Sequence, residues 1–199
     1  MDYAVTVYLI RHARTKSNNE RRYLGWADED ILPNQNLPVV DSRCETVFGS
    51  DLKRCRQTAA YYFPIASYFG DVGFRESNFG EFEGKTYEEL KEIQQYRNWI
   101  DDPYRLAPSS GETLEEVTKR CMEAIARLPK GFTRYPLILH GGTIRILLVN
   151  LAPESSEFWD WLVSHDDMFK LQWTTREAFE EGKRCTSLSV VPITANINM

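Results

Sequence analysis

Two short apolar runs, each ending on a histidine, constrain this chain more than any other feature of it. Residues 4–10, AVTVYLI, stop on Arg11 and His12; the run in YPLILHGG stops on His140 and a glycine pair. Runs of this length, rich in β-branched and aromatic residues, suit strands covered on both faces, as in a parallel sheet flanked by helices. In open α/β sheets, ligands bind beyond the carboxyl ends of the strands, where loops and helix N-termini converge. A guanidinium at the end of a buried strand is costly unless an anion meets it. The pattern therefore predicts an anion site at one edge of an α/β sheet.

The remaining segments alternate accordingly. ETVFGS reads as a second strand, followed directly by a helix over DLKRCRQTAAYYF with Ser50 as N-cap and Arg54 in its first turn. A helix N-terminus already favours an anion through its dipole and free N–H groups. Capping boxes open two more helices: Thr86 with Glu89 before YEELKEIQQYRNW, and Thr113 with Glu116 before LEEVTKRCMEAIARL. Between them, IDDPYRLAPSSGE reads as a loop. TIRILLVNL continues from His140 as a helix, SEFWDWL reads as an amphipathic helix, and SLSVVPI as a closing strand. The expected fold is α/β, a three-layer α/β/α arrangement around a mostly parallel sheet, in one domain over residues 1–199.

Composition bounds the partners. With 199 residues and 42% apolar content the chain can bury one sizeable core. A formal net charge of −5 argues against general attraction to nucleic acid or an acidic membrane surface, so any positive cluster is local. The four cysteines are scattered without metal-ligand spacing, and no run is long enough to span a membrane. With no leader sequence recognisable, a reducing cytoplasm is the expected setting.

If the anion is a phosphate, the residue types assemble into a reaction. Two guanidiniums offset a dianion, each charge pair near 4 Å contributing about 4 kcal/mol at an intermediate dielectric, and the planar fork of arginine matches phosphate oxygens. A neutral imidazole fixed through its other nitrogen can then attack phosphorus, giving a phosphohistidine. The leaving alkoxide needs an acid and the second half-reaction a base. Glu76, Glu81 and Glu83 precede the Thr86 helix in a glycine-punctuated loop, and spacing alone does not choose among them.

Taken in order, LIRHARTKSN, SDLKRCRQTA, ESNFGEFEGKTYEEL, SGET and LILHGGTIR resemble the histidine phosphatase superfamily, the phosphoglycerate mutase-like branch 1. The resemblance runs from about residue 5 to about residue 150, with TSLSVV similar to the family's closing strand. It implies that His12 is the phosphorylated nucleophile, Arg11 and Arg54 the phosphate clamps, His140 the second histidine on the transferring group, and Glu76 the proton donor. It further implies phosphate contacts from Asn18 and the backbone N–H of Gly141, no metal and no other cofactor, and a cap over the site formed by residues from about 75 to 112.

Departures from the family pattern are informative. The usual Arg-His-Gly-Glu-Thr stands here as Arg-His-Ala-Arg-Thr, so Ala13 needs a negative φ. Arg14 reverses a common charge; it faces solvent or extends the positive field toward a second anionic group, the first being preferred. Prolines in ILPNQNLPVVDSRC argue against the family's longer helix at residues 31–44. Tyr23, Trp26, Phe79 and Phe82 are candidates for an apolar wall, His165 is expected at the surface, and ADED at residues 27–30 as a solvated loop. The chain length and the loop at Glu76 resemble the phosphatases of the family, among them α-ribazole phosphatases. The expected activity is metal-independent hydrolysis of a small phosphomonoester, with α-ribazole 5′-phosphate one candidate substrate. The alternatives are a phosphoglycerate mutase and a silent phosphate-binding regulatory module.

Overall fold

The computed structural model describes residues 3–194. Among them six strands form one sheet: β1 (Val5–Arg11), β2 (Thr46–Ser50), β3 (Ser67–Asp71), β4 (Arg134–Leu139), β5 (Asp167–Trp173) and β6 (Ser187–Pro192), in the order β3-β2-β4-β1-β5-β6. The pairings β3/β2, β2/β4 and β4/β1 are parallel; β5 runs antiparallel to both β1 and β6. The sheet is thus mostly parallel, as expected.

Alternation along β1 separates two cores. Val5, Val7 and Leu9 point into one cluster, which also holds Val117, Cys121 and Ile125 of helix α5 (Leu114–Ala126) and Ile144, Leu147 and Leu148 of α6 (Gly141–Leu151). Tyr8 and Ile10 point into the other, with Cys55, Ala59 and Tyr62 of helix α2 (Lys53–Tyr62). Burial on both faces explains why the run carries no polar alternation, and the result is the three-layer α/β/α arrangement.

Some local expectations shift. Ser50 ends β2 instead of capping α2; the helix begins after Leu52, which makes no side-chain cap. The first-turn donor Lys53 N is met by Asp28 Oδ1 at 2.7 Å, so the cap arrives from a distant loop. The acidic loop is accordingly tied down: Glu29 accepts from Ser17 N and Asp30 from Gln57 Nε2. The helix expected after Thr86 splits into α3 (Tyr87–Leu90) and α4 (Gln94–Asp101). Leu90 and Tyr96 are six residues apart and would lie on different faces of a continuous helix; the break lets Leu90, Tyr96 and Trp99 share a small third core with Phe82. SEFWDWL yields only a 3₁₀ turn at Phe158–Asp160, and two arginines hold the chain as it leaves the turn: Arg145 donates to Trp161 O and Arg11 to Val163 O. Strands β3 and β5 and the short helices α1 (Lys16–Asn19) and α7 (Arg176–Glu180) had no sequence expectation. Residues 21–45 run without a helix, consistent with their prolines.

Candidate active site

Strand pairing brings the two histidines together. Arg11 is in register with Leu139, and His12 N donates to Leu139 O at 2.9 Å, so the residues that follow each strand emerge side by side. The His12 and His140 ring centroids lie 5.1 Å apart, and both side chains are buried. Above them is a cavity of about 260 Å³, lined by Arg11, His12, Asn18, Glu76, Gly141 and Gly142 on its polar side. Leu24, Phe79, Trp99, Leu114, Phe158 and Val163 supply the apolar side.

The His12 tautomer follows from its contacts. Nδ1 lies 2.7 Å from Ala13 O, which can only accept, so Nδ1 carries the proton and Nε2 keeps its lone pair. Burial holds the His12 pKa well below the ordinary value, reinforced by the Arg54 and Arg11 charges. The ring is therefore neutral at physiological pH. Ala13 has no positive φ, so alanine fits where the family carries glycine; its N–H donates to the buried Thr58 Oγ1 at 2.8 Å.

Arg11 spans the strand end and the start of α6. One terminal nitrogen donates to Val163 O at 2.8 Å, while its buried Nε has no partner. Burial lowers its pKa to about 10, which leaves it charged. Asn18 uses its amide oxygen to accept from Thr15 N, which leaves the NH₂ end for the cavity it lines. Gly141 opens α6, where N–H groups lack partners within the helix.

Arg54 is fully buried and does not line the cavity. Its Nε donates to His140 Nδ1 at 3.2 Å, and its other nitrogens donate to Ala27 O and Gly25 O. It thus sits against His140, which does not line the cavity either: its Nε2 faces Cys55 Sγ at 3.6 Å, and its pKa is held well down by burial first and by Arg54 next.

Glu76 is the carboxylate brought to the histidines. Its oxygens accept from Ser77 N at 2.9 Å and Gly142 N at 2.8 Å. Glu81 is exposed, and Glu83 instead holds the loop at Gly25 and Trp26 by accepting both N–H groups. The Glu76 loop is supported by residues the sequence reading did not single out. Arg120 donates to Glu76 O, Gly73 O and Arg75 O and pairs with Glu112, whose carboxylate also accepts from Asn78 N. Glu112 lies in the SGET motif, so its presence was legible although its role was not. Trp26 Nε1 adds a bond to Glu76 O.

The apolar candidates divide. Tyr23 and Phe79 line the cavity, but Phe82 is buried in the third core and Trp26 lies under the Arg75 guanidinium. His165 corrects an expectation. It is half-buried beneath the site, its Nδ1 2.7 Å from His12 O, because antiparallel β5 starts at the edge where β1 ends. Arg145, not foreseen either, reaches the cavity from α6 and lies over the Phe158 and Trp159 rings.

The histidine phosphatase superfamily (branch 1) model matches residues 7–181. This chain belongs to that family. Relatives of the histidine phosphatase include a protein of Hydrogenobacter thermophilus named "Putative phosphoserine phosphatase 2", 27% identical over 164 residues, covering 73% of this chain and 78% of that one. "Probable phosphoglycerate mutase GpmB" of Escherichia coli O1:K1 is 30% identical over 154 residues, covering 68% and 69%. The fold is shared with the crystal structure of a "putative alpha-ribazole-5'-P phosphatase" from Escherichia coli K-12, at a TM-score of 0.82, 21% identity and coverage of 97% and 98%.

Two outcomes follow from the phosphatase site's geometry. A Cβ at Gly142 would stand 2.3 Å from Glu76 Oε1, whereas one at Gly141 would lie 3.4 Å from the Arg11 guanidinium, an ordinary contact. Gly142→Ala is expected to displace the carboxylate and lower kcat by about 100-fold, the low end of what acid–base catalysis supplies. Gly141→Ala is the milder change. Steady-state kinetics beside urea melts check both.

The second concerns acid. Burial lowers the pKa of His165 to about 4, and that of His12 and His140 falls too. Above about pH 7 folded and unfolded forms are alike in protonation; below 6.5 the unfolded chain takes up protons that the fold refuses. Stability is therefore present at neutral pH and lost as pH falls, His165 alone contributing about 2 kcal/mol of loss by pH 5. Urea melts at pH 8, 6 and 5 measure this, and a His165→Asn variant with an unchanged slope would contradict it.

Proposed function

We propose that this histidine phosphatase hydrolyses a small phosphomonoester, without a metal, through phospho-His12. The observation that carries the reading is the His12 tautomer: a buried, neutral ring with Nδ1–H fixed on Ala13 O and Nε2 available. In the first half-reaction Nε2 attacks phosphorus, the P–O bond breaks, and Glu76 gives its proton to the leaving oxygen. In the second, Glu76 takes a proton from water, the water oxygen bonds to phosphorus, and the P–N pair returns to Nε2. Arg11, Asn18 and the Gly141 N–H hold the phosphate oxygens, while Arg54, buried against His140 next to the site, adds positive charge from behind the first layer, and His140 reaches the transferring group only by releasing Cys55. Their positive charge and N–H groups supply the neutralisation that a metal ion provides elsewhere. The segment from about 75 to 112, with its own small core, serves as the cap that carries Glu76 and contributes Phe79 and Trp99 to the cavity's apolar side.

The test is phosphate release, without added metal, from a panel holding α-ribazole 5′-phosphate, O-phosphoserine, 3-phosphoglycerate and an aryl phosphate. His12→Ala serves as control. The ranking of metabolites names the substrate class. A second reading, phosphoglycerate mutase, is favoured by the likeness to the GpmB protein. It requires interconversion of 2- and 3-phosphoglycerate dependent on a bisphosphoglycerate, and net hydrolysis without isomerisation rules it out.

A further inference from the structure

Beside the cavity over His12 lies a second basin of about 410 Å³, into which Arg11, Arg14, Arg21 and Arg22 all open. Arg11, Asn18, Arg22 and Tyr23 line both spaces, so the two share a wall. Four guanidiniums around one hollow are a marked concentration of charge in a chain of net charge −5.

The acids nearby do not neutralise them evenly. Arg22 is held by Glu20 at 2.8 Å and Glu89 at 3.2 Å, with a further bond to Gly84 O. Arg14 meets Asp166 at 3.9 Å, with the two side chains 48% and 81% exposed, a pair too loose and too wet to cancel its field. Among the described residues no acid lies within ion-pair distance of Arg21, whose backbone sits at φ 54°, a conformation that costs a non-glycine residue energy. Arg14 also stands where the family pattern carries glutamate, two residues past the nucleophile. That exchange changes the local charge by two units at the rim of the site.

We propose that this basin receives a second anionic group of the substrate, a carboxylate or a further phosphate, held by Arg14 and Arg21 while the scissile phosphate lies at His12. The inference rests on the phosphatase reading above and narrows its substrate class to phosphomonoesters that carry another anion. Phosphate esters whose only charge is the scissile group, α-ribazole 5′-phosphate among them, rank lower.

Matched aryl phosphates test it: phenyl phosphate, its three carboxyphenyl isomers and 1,3-phenylene bisphosphate, with wild type and the double variant Arg14→Gln, Arg21→Gln. In wild type at least one doubly anionic ester is expected to exceed phenyl phosphate about tenfold in kcat/KM, chiefly through KM. That is about 1.4 kcal/mol, within reach of two partly exposed charge pairs. The carboxylate and bisphosphate arms tell which anion is preferred. The double variant should bring the ratio within about twofold while phenyl phosphate changes less than about threefold. No preference in wild type, or a preference the variant keeps, overturns the subsite. Failure of wild type to hydrolyse any of the five esters would mark the failure of the phosphatase reading instead. Calorimetric binding of phenyl phosphate and 1,3-phenylene bisphosphate then judges the basin alone, by the same tenfold difference and its loss in the variant.

Discussion

Replacing His12 by alanine is expected to lower phosphate release by about 10⁴-fold or more and to leave no phosphoenzyme. The size follows from the proposed role, in which the imidazole forms and breaks the bond itself, so no neighbouring interaction substitutes for it. A phosphohistidine is acid-labile and base-stable, so rapid mixing with labelled substrate and a basic quench should trap it in wild type alone. The side chain is buried at 3% exposure, so its removal also costs stability, on the order of 1–3 kcal/mol for the unpaired Ala13 carbonyl and lost packing. Circular dichroism of the variant separates a folded, inactive protein from an unfolded one. Full activity in a folded variant would sink the mechanism. Phosphate binding without turnover by the wild type would move the reading to a regulatory module.

Glu76→Gln carries the second large effect, and its signature depends on the leaving group. Glutamine cannot donate the proton that an alkoxide needs, so hydrolysis of an alkyl phosphate should slow by about 10²–10⁴-fold in the first half-reaction, with no phosphoenzyme accumulating. Nitrophenolate leaves without that proton. With p-nitrophenyl phosphate the same variant should show a burst of nitrophenol followed by slow phosphate release, because water activation is then the crippled step. Equal slowing of both substrates without a burst would place the proton transfer elsewhere. The substitution also puts an NH₂ group where the carboxylate accepts from Ser77 and Gly142. Gly142→Ala provides the complementary perturbation, since it moves the carboxylate without changing its chemistry.

What was legible in the sequence has a common physical basis. β1 and β4 are buried on both faces, so nearly every position had to be apolar, and the switch to Arg11-His12 and to His140 stands out against such runs. The helices after Thr86 and Thr113 were legible at their starts because capping boxes are contacts between residues three apart. β3 escaped notice because it is an edge strand with little buried area and hence no hydrophobic signature. β5 does carry buried Phe169, Leu171 and Trp173, an alternation that could have revealed it, though nothing local says that it runs antiparallel.

The site divides along the same line. By itself the sequence determined the chemistry: which strand ends carry histidine and arginine, which loop holds the carboxylates, and where Arg14 departs from the family's glutamate. These are properties of residue type and near-neighbour order. Only the tertiary structure decided which atoms face one another. It took Arg54 behind His140 instead of into the cavity, bound Glu76 to the Gly142 N–H, used Arg120 and Glu112 to support that loop, and brought His165 under His12 across an antiparallel strand. Apart from the Arg120–Glu112 pair, eight positions apart, those contacts join residues 44 to 153 positions apart, and chain closure over such distances is set by strand order and core packing, which local sequence pattern does not encode.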